Sequence, residues 1–151
     1  MPVHDYELNR FFWAQDGIYP QVINELKSGK KQRHWMWFIF PQLVGIGYSR
    51  ISKKYAIADL DEARAYLKKP LLSDRLCECT DLVLLHKNRT VSEIFGFPDD
   101  LKFHACMTLF AQADDNDASE FREATNAFFD GKTHQQKIDI LDRQSLGGLT
   151  D

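Results

Sequence analysis

The residues best suited to chemistry lie close together in one segment, which runs from Lys30 to Tyr55. The segment combines cationic side chains, tryptophan rings, hydroxyl groups and a Gly-x-Gly turn at Gly45 and Gly47. Cations neutralise an oxyanion, the N–H groups of a glycine loop cradle one, and a tryptophan face stacks on a planar ring. The segment therefore predicts a pocket for a small anionic metabolite that contains a ring, such as a nucleotide or an ADP-ribose-like compound.

The candidate ligand-binding side chains come from this segment and from a later helix. In the segment they are Arg33, Trp35, Trp37, Gln42, Ser49, Ser52 and Tyr55. In the later helix they are Lys102, His104 and Thr108. His104 and Thr108 are four residues apart, so they share one side of that helix. We expect the pocket where cation, aromatic face and hydroxyls coincide, at the meeting point of Arg33, Trp35, Gln42, Ser49, Tyr55 and Lys102.

A plainer interpretation of the same residues is structural. The aromatic side chains can belong to the core, the cations can solvate a helix end, and the glycines can serve a turn. His104 has no identifiable carboxylate or nucleophile partner, and such a histidine is more often structural than catalytic. The ligand hypothesis is favoured if Trp35, Lys102 and Tyr55 line one concave pocket.

A second hypothesis makes the protein a non-catalytic protein–protein interaction module with an unknown partner. An exposed apolar patch of several hundred square ångströms, on the order typical of interaction sites, would favour it. The sequence does not discriminate between the two hypotheses. It also indicates no enzyme class, because it lacks a Walker loop, a Gly-x-Ser-x-Gly elbow and a His-Glu-x-x-His helix.

We expect no cofactor and no metal site. Gly45 and Gly47 lack the third glycine of a dinucleotide-binding loop. The pair Cys77 and Cys79 has no second cysteine pair, so all three cysteines are expected to be reduced and packed. The acidic stretch 114–117 lacks the glycine and the twelfth-position glutamate of a calcium loop, and it is expected to be a polar connection.

The composition predicts one domain over residues 1–151. The 151 residues are 44% hydrophobic and 13% aromatic, enough to bury a core. The net charge of -3 disfavours general nucleic-acid binding. The charge is uneven, because residues 1–54 hold eight Lys and Arg against four Asp and Glu, while residues 55–151 hold eleven against eighteen. Neither a signal peptide nor a membrane-spanning run is recognisable, so we expect a soluble cytoplasmic protein.

Helical periodicity covers most of the chain and predicts an all-α array of about seven helices. The predicted helices lie at 6–15, 19–28, 59–69, 72–86, 98–111, 120–130 and 135–143, with a short capped turn at 90–95. The stretch from Asp117 to Glu120 is expected to cap the sixth of these helices. Residues 34–40 resist this assignment, because their β-branched and aromatic side chains also suit a strand or an extended stretch; a buried helix is the third alternative. We expect the tail 145–151 to be flexible.

The run His34-Trp-Met-Trp-Phe-Ile-Phe-Pro-Gln42 is the most specific motif in the chain. Together with the residues at 45–49, the Ser52-x-x-Tyr55 pair and the stretch 102–110, it resembles the domain-of-unknown-function 1810 family. The resemblance spans nearly the whole chain. It implies a compact, mainly helical single domain and almost nothing about function. Ala105 stands where the family pattern leads us to expect a small hydroxyl residue, so we expect no hydroxyl contact there.

Some members of that family carry the label calpastatin. That inhibitor is a long disordered chain that orders on its protease, whereas this aromatic-rich sequence has the composition of a folded domain. We therefore predict that a low-micromolar dose does not inhibit a calcium-dependent cysteine protease, because buried aromatic side chains are unavailable for wrapping a target. A fluorogenic protease assay checks this, and saturable inhibition contradicts it.

Overall fold

Residues 7–45, 49–116 and 119–131 are described by a computed structural model. Within these ranges the chain forms helices and no strand, which confirms the all-α prediction. The helices are α1 Asn9–Asp16, α2 Tyr19–Ser28, α3 Met36–Ile39, α4 Arg50–Lys54, α5 Leu60–Leu67, α6 Pro70–Leu84, α7 Val91–Phe95, α8 Asp99–Ala113 and α9 Glu120–Phe129. Six of these nine helices correspond to predicted ones, α7 is the predicted capped turn, and α3 and α4 are short additions; the seventh predicted helix lies outside the described residues.

Local sequence signals place most helix ends. Helix α2 has the predicted bounds and ends at Gly29, whose positive φ of 77° suits a residue without a Cβ. The predicted capping box at α7 is present, since Thr90 and Glu93 each accept the backbone N–H of the other. Asp59 caps α5 by accepting the Glu62 N–H.

Several predicted ends differ from the structure or fall outside its described ranges. Helix α1 begins at Asn9, and its predicted start at residue 6 lies outside the described residues. Helix α6, Pro70–Leu84, begins and ends two residues before the predicted bounds. Helix α9 is capped by Ser119, two residues after the cap expected at Asp117, which lies outside the described residues. The predicted last helix at 135–143 and the tail 145–151 also lie outside them.

The ambiguous segment 34–40 contains the short helix α3. Trp35 and Phe40, which flank it, are fully buried, as are Met36 and Ile39 within it. In a helix, side chains at these spacings fall on one face, so a single turn is enough to bury all four. Packing against the rest of the molecule thus overrides the β-propensity of the segment.

Helix α8 runs through the centre of the fold. It packs against α5, α7 and α9, and the predicted apolar stripe from Phe103 to Phe110 is buried. Ala105, Thr108 and Leu109, which lie off that stripe, are buried as well. The helix is therefore covered on nearly all sides and not on one face. In the described part of the chain, every helix is too short or too polar to cross a membrane.

The C-terminus of α2 meets the end of α6, and this contact leaves no room for a side chain at Gly29. A Cβ there would clash with the Arg89 guanidinium and lie 2.9 Å from the His86 ring. Both groups are engaged: Arg89 donates to the Gly29 carbonyl at 3.2 Å, and His86 Nε2 lies 2.9 Å from the Leu26 carbonyl.

We predict that Gly29→Ala destabilises the fold by about 2 kcal/mol or more, because it adds left-handed backbone strain to this clash. Gly17→Ala is the matched control at the end of α1, where φ is -82° and nothing lies within 4 Å of a Cβ. The control should be neutral or stabilising by up to about 1 kcal/mol. Urea unfolding of both variants checks this, and equal stabilities would contradict it.

Candidate functional site

A cavity opens beside α3 and α4. It is shallow and open to solvent, and the space between its lining atoms, including solvent at the mouth, is about 310 Å³. It is lined by Trp37, Gln42, Leu43, Val44, Gly45, Ser52, Lys53, Tyr55 and Ala56. The predicted site residues Trp37, Gln42, Ser52 and Tyr55 therefore meet at one place.

The floor of the cavity is held by the parallel bridge between Leu43 and Ile57. The Ile57 N–H donates to the Gln42 carbonyl, and the Val44 N–H donates to the Ile57 carbonyl, each at 2.7 Å. These two bonds hold the chain after α3 alongside the chain after α4. The backbone of Gln42, one of the lining residues, is thus fixed.

The wall formed by α4 is organised by its own cap. Ser49 Oγ accepts the Ser52 N–H at 3.1 Å, and Ser52 Oγ donates to the Ser49 carbonyl at 2.8 Å. Ser49, a predicted ligand contact, therefore shapes α4 and is not among the residues that line the cavity. Tyr55 closes the helix, and its ring packs against Phe11 and Phe38 with centroids 5.9 and 5.4 Å apart.

Arg10 anchors the same wall from α1. Its guanidinium donates to the carbonyls of Lys54 and Ala56 at 2.9 and 2.8 Å, and to Glu62 at 3.0 Å. Glu62 is buried and also accepts the Ala58 N–H at 2.7 Å. Arg10 and Glu62 were not among the predicted residues, because a contact across 52 residues leaves no local pattern in the sequence.

Lys53 lines the cavity and was also absent from the predicted set. A signal for it exists in the sequence, since it lies between two candidates, Ser52 and Tyr55, on one short helix. Two further lysines lie on the aromatic walls: Lys102 Nζ is 3.3 Å from the Trp37 ring centroid, and Lys54 Nζ is 5.3 Å from that of Tyr55. Lys102 thus reaches the cavity through Trp37 and does not line it.

The carboxamide of Gln42 carries the clearest sign of a ligand site. The residue is 8% exposed, and its Nε2 finds no hydrogen-bond acceptor among the residues that the structure describes. Leaving a buried donor unpaired costs about 1–3 kcal/mol. Such a group in a cavity wall takes its partner from an ordered water or from a ligand.

Trp35 and Arg33 lie elsewhere, around the buried carboxylate of Glu25. Trp35 is fully buried, and its indole Nε1 donates to Glu25 at 3.0 Å. The Arg33 guanidinium donates to the same carboxylate at 2.9 Å, as do the backbone N–H groups of residues 32 and 33. Burial opposes ionisation of Glu25, but these hydrogen bonds outweigh it and lower its pKa from 4.5 to about 2.

The two remaining candidates on α8 do not reach the cavity. The His104 ring stacks on Phe129 with centroids 3.8 Å apart and planes 8° from parallel. The Thr108 hydroxyl donates to the His104 carbonyl at 2.9 Å, and the residue lies in a polar groove between α8 and α9. Of the three residues whose convergence would favour the ligand hypothesis, Tyr55 alone lines the cavity, while Trp35 and Lys102 do not.

The described residues include no group of three or more His, Cys, Asp or Glu side chains that could hold a metal ion. The cysteines 77, 79 and 106 are free thiols. Burial raises the pKa of Cys77 and Cys79 to about 12, which keeps both thiols protonated at neutral pH.

Comparisons with known proteins agree on the family of the chain. The family model described as Protein of unknown function (DUF1810) matches residues 5–141, and the resemblance predicted from the aromatic motif is confirmed. The chain is also similar to the crystal structure of the conserved hypothetical protein Rv1873 from Mycobacterium tuberculosis, with 43% identity and a TM-score of 0.89. That similarity covers 92% of this chain and 99% of the other. The curated proteins contain no match.

We predict that Glu25→Gln destabilises the fold by about 2–4 kcal/mol at pH 7, because an amide cannot accept all the donors aimed at the carboxylate. Urea unfolding measures the loss. The control is Glu123→Gln, whose carboxylate pairs at 3.5 Å with Lys87 in a pair more than half exposed, and about 0.5 kcal/mol or less is expected there.

The same carboxylate predicts a pH dependence. Its folded pKa of about 2 lies below the ordinary 4.5, so the native state binds fewer protons than the unfolded chain between these values. The stability difference between the wild type and Glu25→Gln is therefore full above pH 4.5 and shrinks as the pH falls toward 2. If the difference in unfolding free energy between the wild type and Glu25→Gln does not change with pH, the lowered pKa of Glu25 is contradicted.

Proposed function

The chain belongs to the DUF1810 family of proteins of unknown function, and from the geometry of its cavity we propose that it binds a small anionic metabolite with a planar ring. The observation that carries the proposal is the unpaired donor of Gln42, more than nine-tenths buried in the cavity wall. A ligand carbonyl or anionic oxygen would satisfy it. The cost of burying Gln42 unpaired is then offset when the ligand binds.

The aromatic side chains of the cavity suit a planar group. Trp37 and Tyr55 supply two ring surfaces within one concave lining, and such surfaces favour offset-stacked or edge-on contact with another ring. The hydroxyl of Ser52 lies in the same lining and offers both a donor and an acceptor to a polar substituent.

The charge around the cavity suits an anion. Lys53 lines it, and α4 adds the exposed side chains of Arg50 and Lys54 beside it. Cations that converge on a concave surface raise the local concentration of anions. Three of the eight cationic residues in the first 54, Arg50, Lys53 and Lys54, therefore lie at or beside this cavity.

The size of the cavity limits which part of a ligand enters. The cavity is shallow and open to solvent, so it admits the edge or one substituent of a ring and not a whole dinucleotide. The rest of a nucleobase or similar ring would lie at the mouth, with its phosphate or carboxylate near Lys53. The described residues that line the cavity include no carboxylate, histidine or cysteine, and the proposal is restricted to binding.

The interaction-module hypothesis stays a prediction. The most exposed large apolar side chains in the described ranges are Trp13, Leu85 and Phe97, and they belong to different elements. Trp13 lies on α1, Leu85 follows α6, and Phe97 precedes α8. The cavity, by contrast, brings a buried unpaired donor, aromatic rings and cations together.

We predict that a mononucleotide or a related ring-containing acid, screened in millimolar excess, raises the melting temperature of the wild type by several degrees. At 100 times the Kd, ligand binding stabilises the native state by about 2.7 kcal/mol, and a domain of this size gains roughly 2–4 °C per kcal/mol. Differential scanning fluorimetry followed by calorimetry measures the effect. The absence of any shift across nucleotides, nucleosides, sugar phosphates and aromatic acids contradicts the proposal.

The Gln42→Met variant separates a binding role from a packing role. Methionine preserves the side-chain length and removes the unpaired donor, so we expect unchanged or higher stability without ligand and at least about tenfold weaker binding. The matched control is Gln21→Met on the exposed surface of α2, which should alter neither quantity. A loss of stability in Gln42→Met with unchanged ligand affinity would identify Gln42 as a packing residue.

A further inference from the structure

Both aromatic walls of the cavity already carry an ammonium group from the chain itself. Lys102 Nζ lies 3.3 Å from the centroid of Trp37, and Lys54 Nζ lies 5.3 Å from that of Tyr55. Both distances fall within the range of a cation–π interaction, which extends to about 6 Å. The cavity lining adds a third cation, Lys53.

Lys102 is held on Trp37 by a partly buried network of charges. It donates to Asp99 at 3.1 Å, and Lys31 approaches the other oxygen of the same carboxylate at 2.7 Å. The exposed fractions of the side chains are 17% for Lys102 and 7% for Lys31. Two lysines share one carboxylate, so the network keeps a net positive charge in a poorly solvated place, where its field is weakly screened.

This arrangement reverses the usual preference of an aromatic cavity. A pocket lined by tryptophan and tyrosine ordinarily attracts cations to the negative faces of the rings, as in cages for quaternary ammonium groups. Here those faces are engaged by lysines, which draw electron density from the rings and repel a second cation. The same polarisation favours an electron-rich ring or a negatively charged group.

We propose that Lys102 is a specificity-determining residue that acts through Trp37 and sets the cavity to accept electron-rich, anionic rings and to reject cationic ligands. The inference rests on the proposed function, since it names the class of ligand that the same cavity takes. The sequence predicted that Lys102 contacts the ligand directly. In this inference Lys102 instead polarises the Trp37 ring, and that ring lines the cavity.

Charge-selective fluorescence quenching tests the polarisation without any knowledge of the ligand. The chain has three tryptophans: Trp35 is fully buried, and Trp13 is 72% exposed. In a Trp13→Phe parent, Trp37 is therefore the tryptophan that dissolved quenchers reach. Iodide and caesium are compared at constant ionic strength, each relative to its quenching of free N-acetyltryptophanamide, because iodide is intrinsically the stronger quencher. We expect this normalised iodide-to-caesium ratio to be about threefold above one, because the local potential concentrates anions.

Variants of Lys102 assign the effect to this residue. Lys102→Met keeps the aliphatic packing on Trp37 and should lower the iodide-to-caesium ratio by about twofold or more, whereas Lys102→Arg should retain it. Lys27→Met removes an equal charge from an exposed position on α2 and should leave the ratio unchanged. An unchanged ratio in Lys102→Met overturns the inference.

The test stays decisive if Lys102→Met does not fold. The Trp13→Phe parent, which keeps Lys102, then tests the inference by itself: an iodide-to-caesium quenching ratio at or below one overturns it. A high ratio in both this parent and its Lys102→Arg variant supports it. The ligand screen judges the proposed function separately. If AMP stabilises the parent and choline stabilises it equally, the protein binds ligands but the charge selectivity is wrong. If no compound of the whole ligand screen shifts the melting temperature while the quenching ratio is high, the cavity is polarised and the proposed function fails.

Discussion

The carboxylate of Glu25 fixes the junction between α2 and α3, and the geometry of the cavity depends on it. It gathers the indole of Trp35, the guanidinium of Arg33 and two backbone N–H groups around one buried charge. A helix of four residues cannot persist on its own, because nucleation costs more than one turn returns. The hydrogen bond from Trp35 to Glu25 therefore holds the start of helix α3 in position. This position of the helix places Trp37 in the cavity lining.

A second buried carboxylate, that of Glu62, stabilises the wall that α4 forms. Glu62 accepts the Ala58 N–H and pairs with Arg10, which in turn donates to backbone carbonyls beyond α4. Irregular chain lacks the internal hydrogen bonds of a helix, so its backbone groups need partners from elsewhere. Charged hydrogen bonds are stronger than neutral ones, which explains why an ionised side chain stabilises each irregular segment next to the cavity.

Against these satisfied groups, the unpaired donor of Gln42 is an exception. A fold that partners Glu25 and Glu62 so completely has the means to pair an amide as well, and unsatisfied buried groups in native proteins often mark functional positions. The charges around it follow the same logic: the ammonium groups on Trp37 and Tyr55 contribute little to packing, yet they determine which ligands the rings can attract.

The sequence by itself determined the all-α class, the family and the local boundaries, because helical periodicity and caps such as the Thr90 box act between residues a few positions apart. It also identified the segment that lines the cavity. Only the tertiary structure separated Trp35 from Trp37. Trp35 precedes the short helix α3 and Trp37 lies within it, so the two side chains point to different sides, and the hydrogen bond to Glu25 holds Trp35 in the core. The anchoring of the other wall by Arg10 depends on contacts across more than 40 residues, and such contacts leave no periodic pattern.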